Sequence, residues 1–149
     1  LGTTTDSADI RGKVLKEHPY EQITAAQIEA AFAKFLGEIK QVPPMVSAVK
    51  FKGKKLYELA RKGIEVERQA RVIKIHTLKI ESINPPEVRF FVECSKGTYI
   101  RQLAHDIGEV LGCGACITQI ERTKVGSFSI EEAVNLEDFN ESHIRPWPG

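Results

Sequence analysis

Apolar and polar positions alternate from Val88 to Ser95. Val88, Phe90, Val92 and Cys94 fall on one face, and Arg89, Phe91, Glu93 and Ser95 on the other, so one face of a strand is the more uniformly apolar. A second run, Val72 to Ile83, precedes it through Asn84-Pro85-Pro86, and the two read as an antiparallel hairpin. Past Ser95 the period changes. Ile100, Leu103, Ala104, Ile107 and Leu111 make a helical stripe, with Gly97 breaking the strand, Thr98 as the expected cap and Gly112 as a left-handed stop. A further helix is predicted after the capping-box pair Thr24 and Gln27. Its apolar face, Ile28, Ala31, Phe32, Phe35 and Leu36, should pack on the sheet before Gly37 ends it.

The remaining segments are shorter. Leu1 to Glu17 reads as strand, turn and strand, with Asp6, Ser7, Asp9 and Gly12 in the turn. Pro43 and Pro44 force an extended connector into Ser47 to Lys52, Gly53 permits a turn, and Leu56 to Lys62 reads as a short helix ending at Gly63. Cys116 to Val125 is predicted as a strand closed by Gly126, and the acidic stretch Ile130 to Phe139 as a helix. This order is not an alternation of βαβ units. It predicts an α+β fold with a mixed, mainly antiparallel sheet and flanking helices.

A chain of 149 residues suffices for one compact domain with a core, and the sequence has no internal repeat or low-complexity tract. No apolar run approaches the roughly 20 residues that span a bilayer, and the first residues lack the pattern of a secretory signal. Three cysteines, an odd number, do not suggest a disulfide framework. The expected location is the cytoplasm.

The net charge of +1 hides a local excess. Lys50, Lys52, Lys54, Lys55, Arg61, Lys62, Arg68, Arg71 and Lys74 face only Glu58, Glu65 and Glu67 over the same stretch. Such a stripe is either a solvated charged surface or the footprint of a phosphate backbone. Arg101 raises a similar choice. By spacing alone it fits a surface arginine beside an ordinary turn, yet a cation in the first helical turn gains nothing from the helix dipole, which points to an anion opposite it. Tyr99 beside it is either a core tyrosine or a ring that stacks on an extruded base.

Other chemistries find less support. Cys113 and Cys116 have C-x-x-C spacing, but only Cys94, His76 and His105 are available to complete a zinc site, without a second paired spacing; no metal is expected. G-x-S-x-G and the P-loop pattern do not occur. His18, His76, His105 and His143 are scattered, and ordinary roles are expected for them.

Several stretches together resemble the TruB family of tRNA pseudouridine synthases. Ser95-x-Gly97-Thr98-Tyr99-Ile100-Arg101, followed by Leu111-Gly112-Cys113-Gly114-Ala115, is similar to that family's third motif. Pro43 to Lys50, with Gly53, Leu56-Tyr57-Glu58 and Ala60-Arg61-x-Gly63, resembles its RNA-gripping segment, an insertion at about 40–70. Leu1 to Asp9 with Gly12 resembles the end of its second motif. Ile120-Glu121-Arg122 is similar to its Leu-x-Arg element, with Ile120 in place of leucine, and Val46 stands where many members carry an aromatic residue.

The resemblance implies a partial pseudouridine synthase fold and isomerisation of uridine-55 in the TΨC loop of tRNA, without cofactor or metal. By the same resemblance Arg101 orients the catalytic aspartate, Tyr99 and Ile120 hold the target base, and Arg122 lies near the RNA. Lys50, Lys52, Lys54, Lys55, Arg61 and Lys62 would grip the TΨC stem-loop. The family's nucleophile sits in a Gly-x-x-Asp-Pro-x-Ala-x-Gly motif before the Leu-Gly-Thr-Thr-Thr-Asp stretch. No Asp-Pro occurs here, and none of Asp6, Asp9, Asp106 and Asp138 has that context. A PUA-type module is not found after Pro148-Gly149 either. The chain is therefore read as the central and C-terminal part of a monomeric synthase's catalytic domain, inactive alone. The alternatives are a non-catalytic RNA-binding module that keeps the tRNA-binding surface and, ranked below it, a protein-interaction domain whose basic stripe meets an acidic partner.

Overall fold

The computed structural model describes all residues except 48, 52, 61, 65, 145 and 147–149, and only the backbone of Lys50, Phe51, Lys54 and Ala60. Its elements run β1 (Thr3–Thr5), β2 (Val14–Glu17), α1 (Ala25–Ala33), β3 (Gly37–Gln41), β4 (Lys50–Phe51), β5 (Lys54–Lys55), α2 (Leu56–Ala60), β6 (Arg71–Asn84), β7 (Glu87–Cys94), α3 (Ile100–Leu111), β8 (Lys124–Val125) and β9 (Phe128–Ser129). The main sheet has the order β3-β6-β7, and among the described residues every paired strand is antiparallel to its neighbour. A single parallel bridge joins Asp9 to Ile117 among the described residues. The α+β architecture expected from the sequence is the one observed. The chain divides into two compact units, 1–118 and 119–149.

In the first unit the core lies between the sheet and two helices. Ile28, Ala31 and Phe32 of α1, Ile73 and Ile75 of β6, and Leu103 and Ile107 of α3 form one buried cluster. Apolar spacing of three and four residues places each helix's contributors on one stripe, and burial of that stripe supplies most of a short helix's stability. Phe90 of β7 meets Phe32 edge to face, with ring centroids 5.2 Å apart. α1 starts with the predicted box: Gln27 N–H donates to Thr24 Oγ1, and Thr24 N–H to Gln27 Oε1. Leu36, expected on the buried face, lies beyond the end of α1 and is exposed.

α3 ends at Gly112, in the left-handed region with φ 78°. The loop then folds back onto the helix. Gly114 N–H donates to Gly108 O, and a Cβ on Gly108 would run into the backbone of Gly114 and Ala115. Gly2 N–H in turn donates to Gly114 O, tying this loop to the start of β1.

Three further expectations are corrected, and one strand is new. Thr98 does not cap α3: its hydroxyl donates to Ser95 O at 2.8 Å, and Tyr99 is the cap residue, without a side-chain cap bond. β3 was not anticipated as a strand, because Ile39 is its one apolar side chain among Glu38, Lys40 and Gln41. The strand predicted over 116–125 is not continuous. Ile117 alone bridges to Asp9, residues 118–123 have no regular structure, and Lys124–Val125 pairs with Phe128–Ser129 around Gly126. The acidic helix over 130–139 is absent; 3₁₀ turns at Ile130–Glu132 and Glu141–His143 take its place. No described residue of the second unit is buried, so no packed face rewards a helix there.

Candidate active site and RNA-binding surface

The junction from β7 to α3 is fixed by its own short-range bonds. Ser95 N–H donates to Lys74 O, and Lys74 N–H donates back to Ser95 Oγ, which anchors the end of β7 to β6. The Thr98 hydroxyl and N–H both reach Ser95 O, which closes the turn through Gly97. Tyr99 and Arg101 follow in sequence at the helix start, both half-buried.

The turn is also held from outside. Gln41, at the end of β3 and 2% exposed, donates through Nε2 to Tyr99 O at 3.1 Å and accepts from Tyr99 N–H at 2.9 Å. Arg101 Nη2 donates to Val46 O at 3.2 Å. The Pro43-Pro44 connector therefore lies against the helix start, where the sequence placed Arg101 opposite an unknown anion. Arg68 Nη1 donates to Pro43 O at 3.3 Å from the far end of the segment that follows.

An anion does lie in this region, on a residue that sequence reading treated as turn chemistry. Asp9 is buried and accepts from Arg11 N–H, Nε and Nη2 at 3.0, 3.0 and 3.1 Å. These Arg11 side-chain and backbone bonds hold its carboxyl down at about 2 against the opposing effect of burial, and the charge of Arg101 adds a smaller lowering. The Asp-x-Arg spacing at Asp9 and Arg11 was the available signal. Nothing in the local sequence marks Gln41, whose partner is 58 positions away.

The basic segment is partly described. Lys52 and Arg61 lie outside the described residues, as do the side chains of Lys50 and Lys54. Backbone pairing of Lys50 with Lys55 and of Phe51 with Lys54 makes a small hairpin, and Leu56, 1% exposed, seats the following turn of helix. Leu56 N–H donates to Val49 O and Tyr57 N–H to Ser47 O. Lys55 and Lys62 are exposed, and Lys55 Nζ sits 5.5 Å from the Tyr57 ring centroid. Ile120 and Arg122 are exposed and belong to the second unit, whereas Tyr99 and Arg101 belong to the first.

Cys113 is buried and its thiol donates to Gly114 O, while burial pushes the half-buried Cys116 thiol up. Among the described residues no group of three or more His, Cys, Asp or Glu could hold a metal ion. No described helix is long and apolar enough to cross a membrane.

A half-buried guanidinium and a tyrosine stand at a locked strand-to-helix turn that precedes a helix of the α+β core, and comparison with known proteins identifies the family to which this arrangement belongs. Residues 1–100 match the model of the TruB family pseudouridylate synthase N-terminal domain, and residues 101–145 that of the tRNA pseudouridylate synthase B C-terminal domain. The chain belongs to the TruB family. It is 53% identical over 145 residues to tRNA pseudouridine synthase B of Clostridium tetani, covering 97% of this chain and 50% of that protein. With the synthase B of Geotalea uraniireducens it shares 50% identity over 139 residues, 93% of this chain and 45% of the relative. The chain thus spans about half the length of the curated relatives it matches. A solved Cbf5-Nop10-Gar1 complex contains a chain that superposes with a TM-score of 0.64 at 33% identity, over 81% of this chain and 32% of that one.

Proposed function

We propose that this chain forms the central and C-terminal part of the catalytic domain of a monomeric, cytoplasmic tRNA pseudouridine synthase, with the RNA-gripping insertion at about 40–70. Its substrate is the uridine at position 55 of the TΨC loop. The observation that carries the reading is the fixed placement of Tyr99 and Arg101 at the start of α3, against the connector that leads into the basic segment.

In this reading the target nucleotide is flipped from the loop and its ring lies against Tyr99. A carboxylate supplied from outside these 149 residues attacks the nucleotide, the glycosidic bond breaks, and the uracil turns and is rejoined to the ribose through carbon. Arg101 holds that carboxylate in plane by a bidentate pair and favours its ionised form. Ile120 closes on the base and Arg122 meets the RNA backbone. Lys50, Lys52, Lys54, Lys55, Arg61 and Lys62 supply sequence-independent phosphate contacts.

The test compares the folded chain with the complete protein, each incubated with a TΨC stem-loop RNA whose pseudouridine is then mapped chemically. The complete protein should modify the loop. The chain alone should bind RNA and form no pseudouridine, since an always-protonated guanidinium and a tyrosine with pKa near 10 cannot replace the carboxylate. Product from the chain alone would overturn the placement of the nucleophile. A complete protein that binds the loop without modifying it would instead establish a non-catalytic RNA-binding module.

A further inference from the structure

Gln41 is buried at 2% exposure, yet both ends of its side-chain amide bond to the backbone of a single residue, Tyr99 N–H and Tyr99 C=O. A buried amide is costly unless both ends are paired, and an apolar residue of similar length would fill the same space without that demand. The two bonds do more than fill space. One fixes a distance; two from a planar amide also fix the orientation of the backbone they grip. Tyr99 is the N-cap of α3 and has no side-chain cap bond of its own, and its carbonyl also accepts the first helical bond, from Leu103 N–H at 3.0 Å. Gln41 thus does from a neighbouring strand what the third residue of a capping box does locally, satisfying the cap residue's own N–H.

Arg101 stands two residues further along the same helix, with its Nη2 on Val46 O. Gln41 and Val46 flank Pro43 and Pro44, whose rings fix φ, and Pro43 O is held in turn by Arg68. Gln41, Tyr99, Arg101 and Val46 therefore form a closed ring of chain and hydrogen bonds. Any slackening at Gln41 is felt at both the tyrosine and the arginine, and it enters at the root of the basic segment.

We infer that Gln41 is a positioning residue for the isomerisation: its bidentate grip on the Tyr99 backbone sets where Tyr99 and the Arg101 guanidinium stand before RNA arrives. This inference rests on the functional reading above. Its loss should slow the chemical step more than it weakens RNA binding, because small misplacements of reacting groups cost rate steeply.

The experiment uses the complete enzyme carrying Gln41→Met, with Ile28→Val as a control that trims the core in α1 away from the turn. Thermal unfolding and steady-state pseudouridine formation over a range of TΨC stem-loop concentrations are measured for both. Gln41→Met should lose about tenfold to a hundredfold in kcat at a KM near that of the parent, while Ile28→Val loses stability and keeps kcat. Where the methionine variant is not recovered folded, Gln41→Asn, which keeps the amide but not its reach, is judged by the same criteria. A folded Gln41 variant with parental kcat, a change confined to KM, or a kcat loss matched by Ile28→Val would each overturn the inference and leave the functional reading standing. A parent enzyme that makes no pseudouridine would instead sink the functional reading, and this inference with it.

Discussion

In α3, Leu103, Ala104 and Ile107 are buried at 0%, 8% and 2%, whereas Ile130, Val134, Leu136, Phe139 and Ile144 further along the chain all remain exposed. Both stretches carry apolar residues at spacings a helix can use, and only the first becomes one. The difference lies in what each can pack on. α3 meets α1 and the sheet in one cluster, and Gly108 lets the following loop approach its backbone. The 130–144 stretch has acidic side chains at Glu131, Glu132, Glu137, Asp138 and Glu141, and no buried residue in its own unit. Spacing proposes an element, and a complementary surface decides it.

The sharpest way to break this contrast is to truncate one leucine in each region. Leu103→Ala should destabilise the protein by about 2–5 kcal/mol, the range for a fully buried leucine. Leu136→Ala, at a side chain 90% exposed, should stay within about 0.5 kcal/mol. Denaturant titration of both reads the difference, and a large loss at Leu136 would mean that the second unit has a packed face after all.

A pair of arginines sharpens the contrast at the level of function. Arg101 is half-buried with its guanidinium on Val46 O, and Arg122 is exposed on a stretch without regular structure. In the complete enzyme Arg101→Lys should cost about tenfold to a hundredfold in kcat with little change in unfolding temperature, because an ammonium cannot hold a carboxylate by two parallel bonds. Arg122→Lys keeps the charge that a phosphate contact needs and should cost far less. Parental turnover by Arg101→Lys would end the proposed pairing with the nucleophile.

The same contrast shows why some of the molecule was legible in sequence. The β6–β7 hairpin, the capped α1 and the stripe of α3 are specified by patterns within a dozen or so residues, and each formed where those patterns placed it. The motif from Ser95 to Arg101 located the turn. What escaped were partnerships of long reach or mixed character. Gln41 finds Tyr99 across the fold, and β3 is mostly polar because it is an edge strand with exposed Glu38 and Lys40. Thr98 had the right residue type for a cap but bonds backward to Ser95, so that the cap position passes to Tyr99. In the lysine-rich segment the turn at Gly53 and the short helix from Leu56 were legible from local residue types, while the pairing of Lys50–Phe51 with Lys54–Lys55 was not.

That segment supplies a smaller and more graded test. Lys55 and Lys62 are exposed, so substituting both by Ala should leave stability nearly unchanged. If they touch phosphates, log affinity for a TΨC stem-loop should fall less steeply with log salt, by roughly 0.7–0.9 for each lost contact. Lys124→Ala, in the second unit's small hairpin, serves as the comparison and should leave the slope where it was. Equal slopes in the parent and the double variant would remove Lys55 and Lys62 from the interface.

The smallest expected effect concerns the two arginines near Asp9, one exposed and one half-buried. Arg11 is 84% exposed at its side chain, yet its bonds are the main reason that the Asp9 carboxyl is held at about 2 rather than the ordinary 3.8. A carboxyl whose folded value is depressed contributes stability that is fully present above the unfolded value and is lost as pH falls from near 3.8 towards 2. Asp106 works in the opposite sense: burial pushes it up, so protonation as the pH drops favours the fold at that site. Arg11→Ala should therefore flatten the acid limb of the stability curve between about pH 4 and pH 2, since removing the bonds lets Asp9 return towards its unfolded value. Arg101 contributes only at a distance, so Arg101→Lys, which preserves the charge, should leave that limb in place. Urea unfolding at a series of pH values distinguishes the two variants. An unchanged acid limb in Arg11→Ala would show that Asp9 is held by something other than its neighbour two residues on.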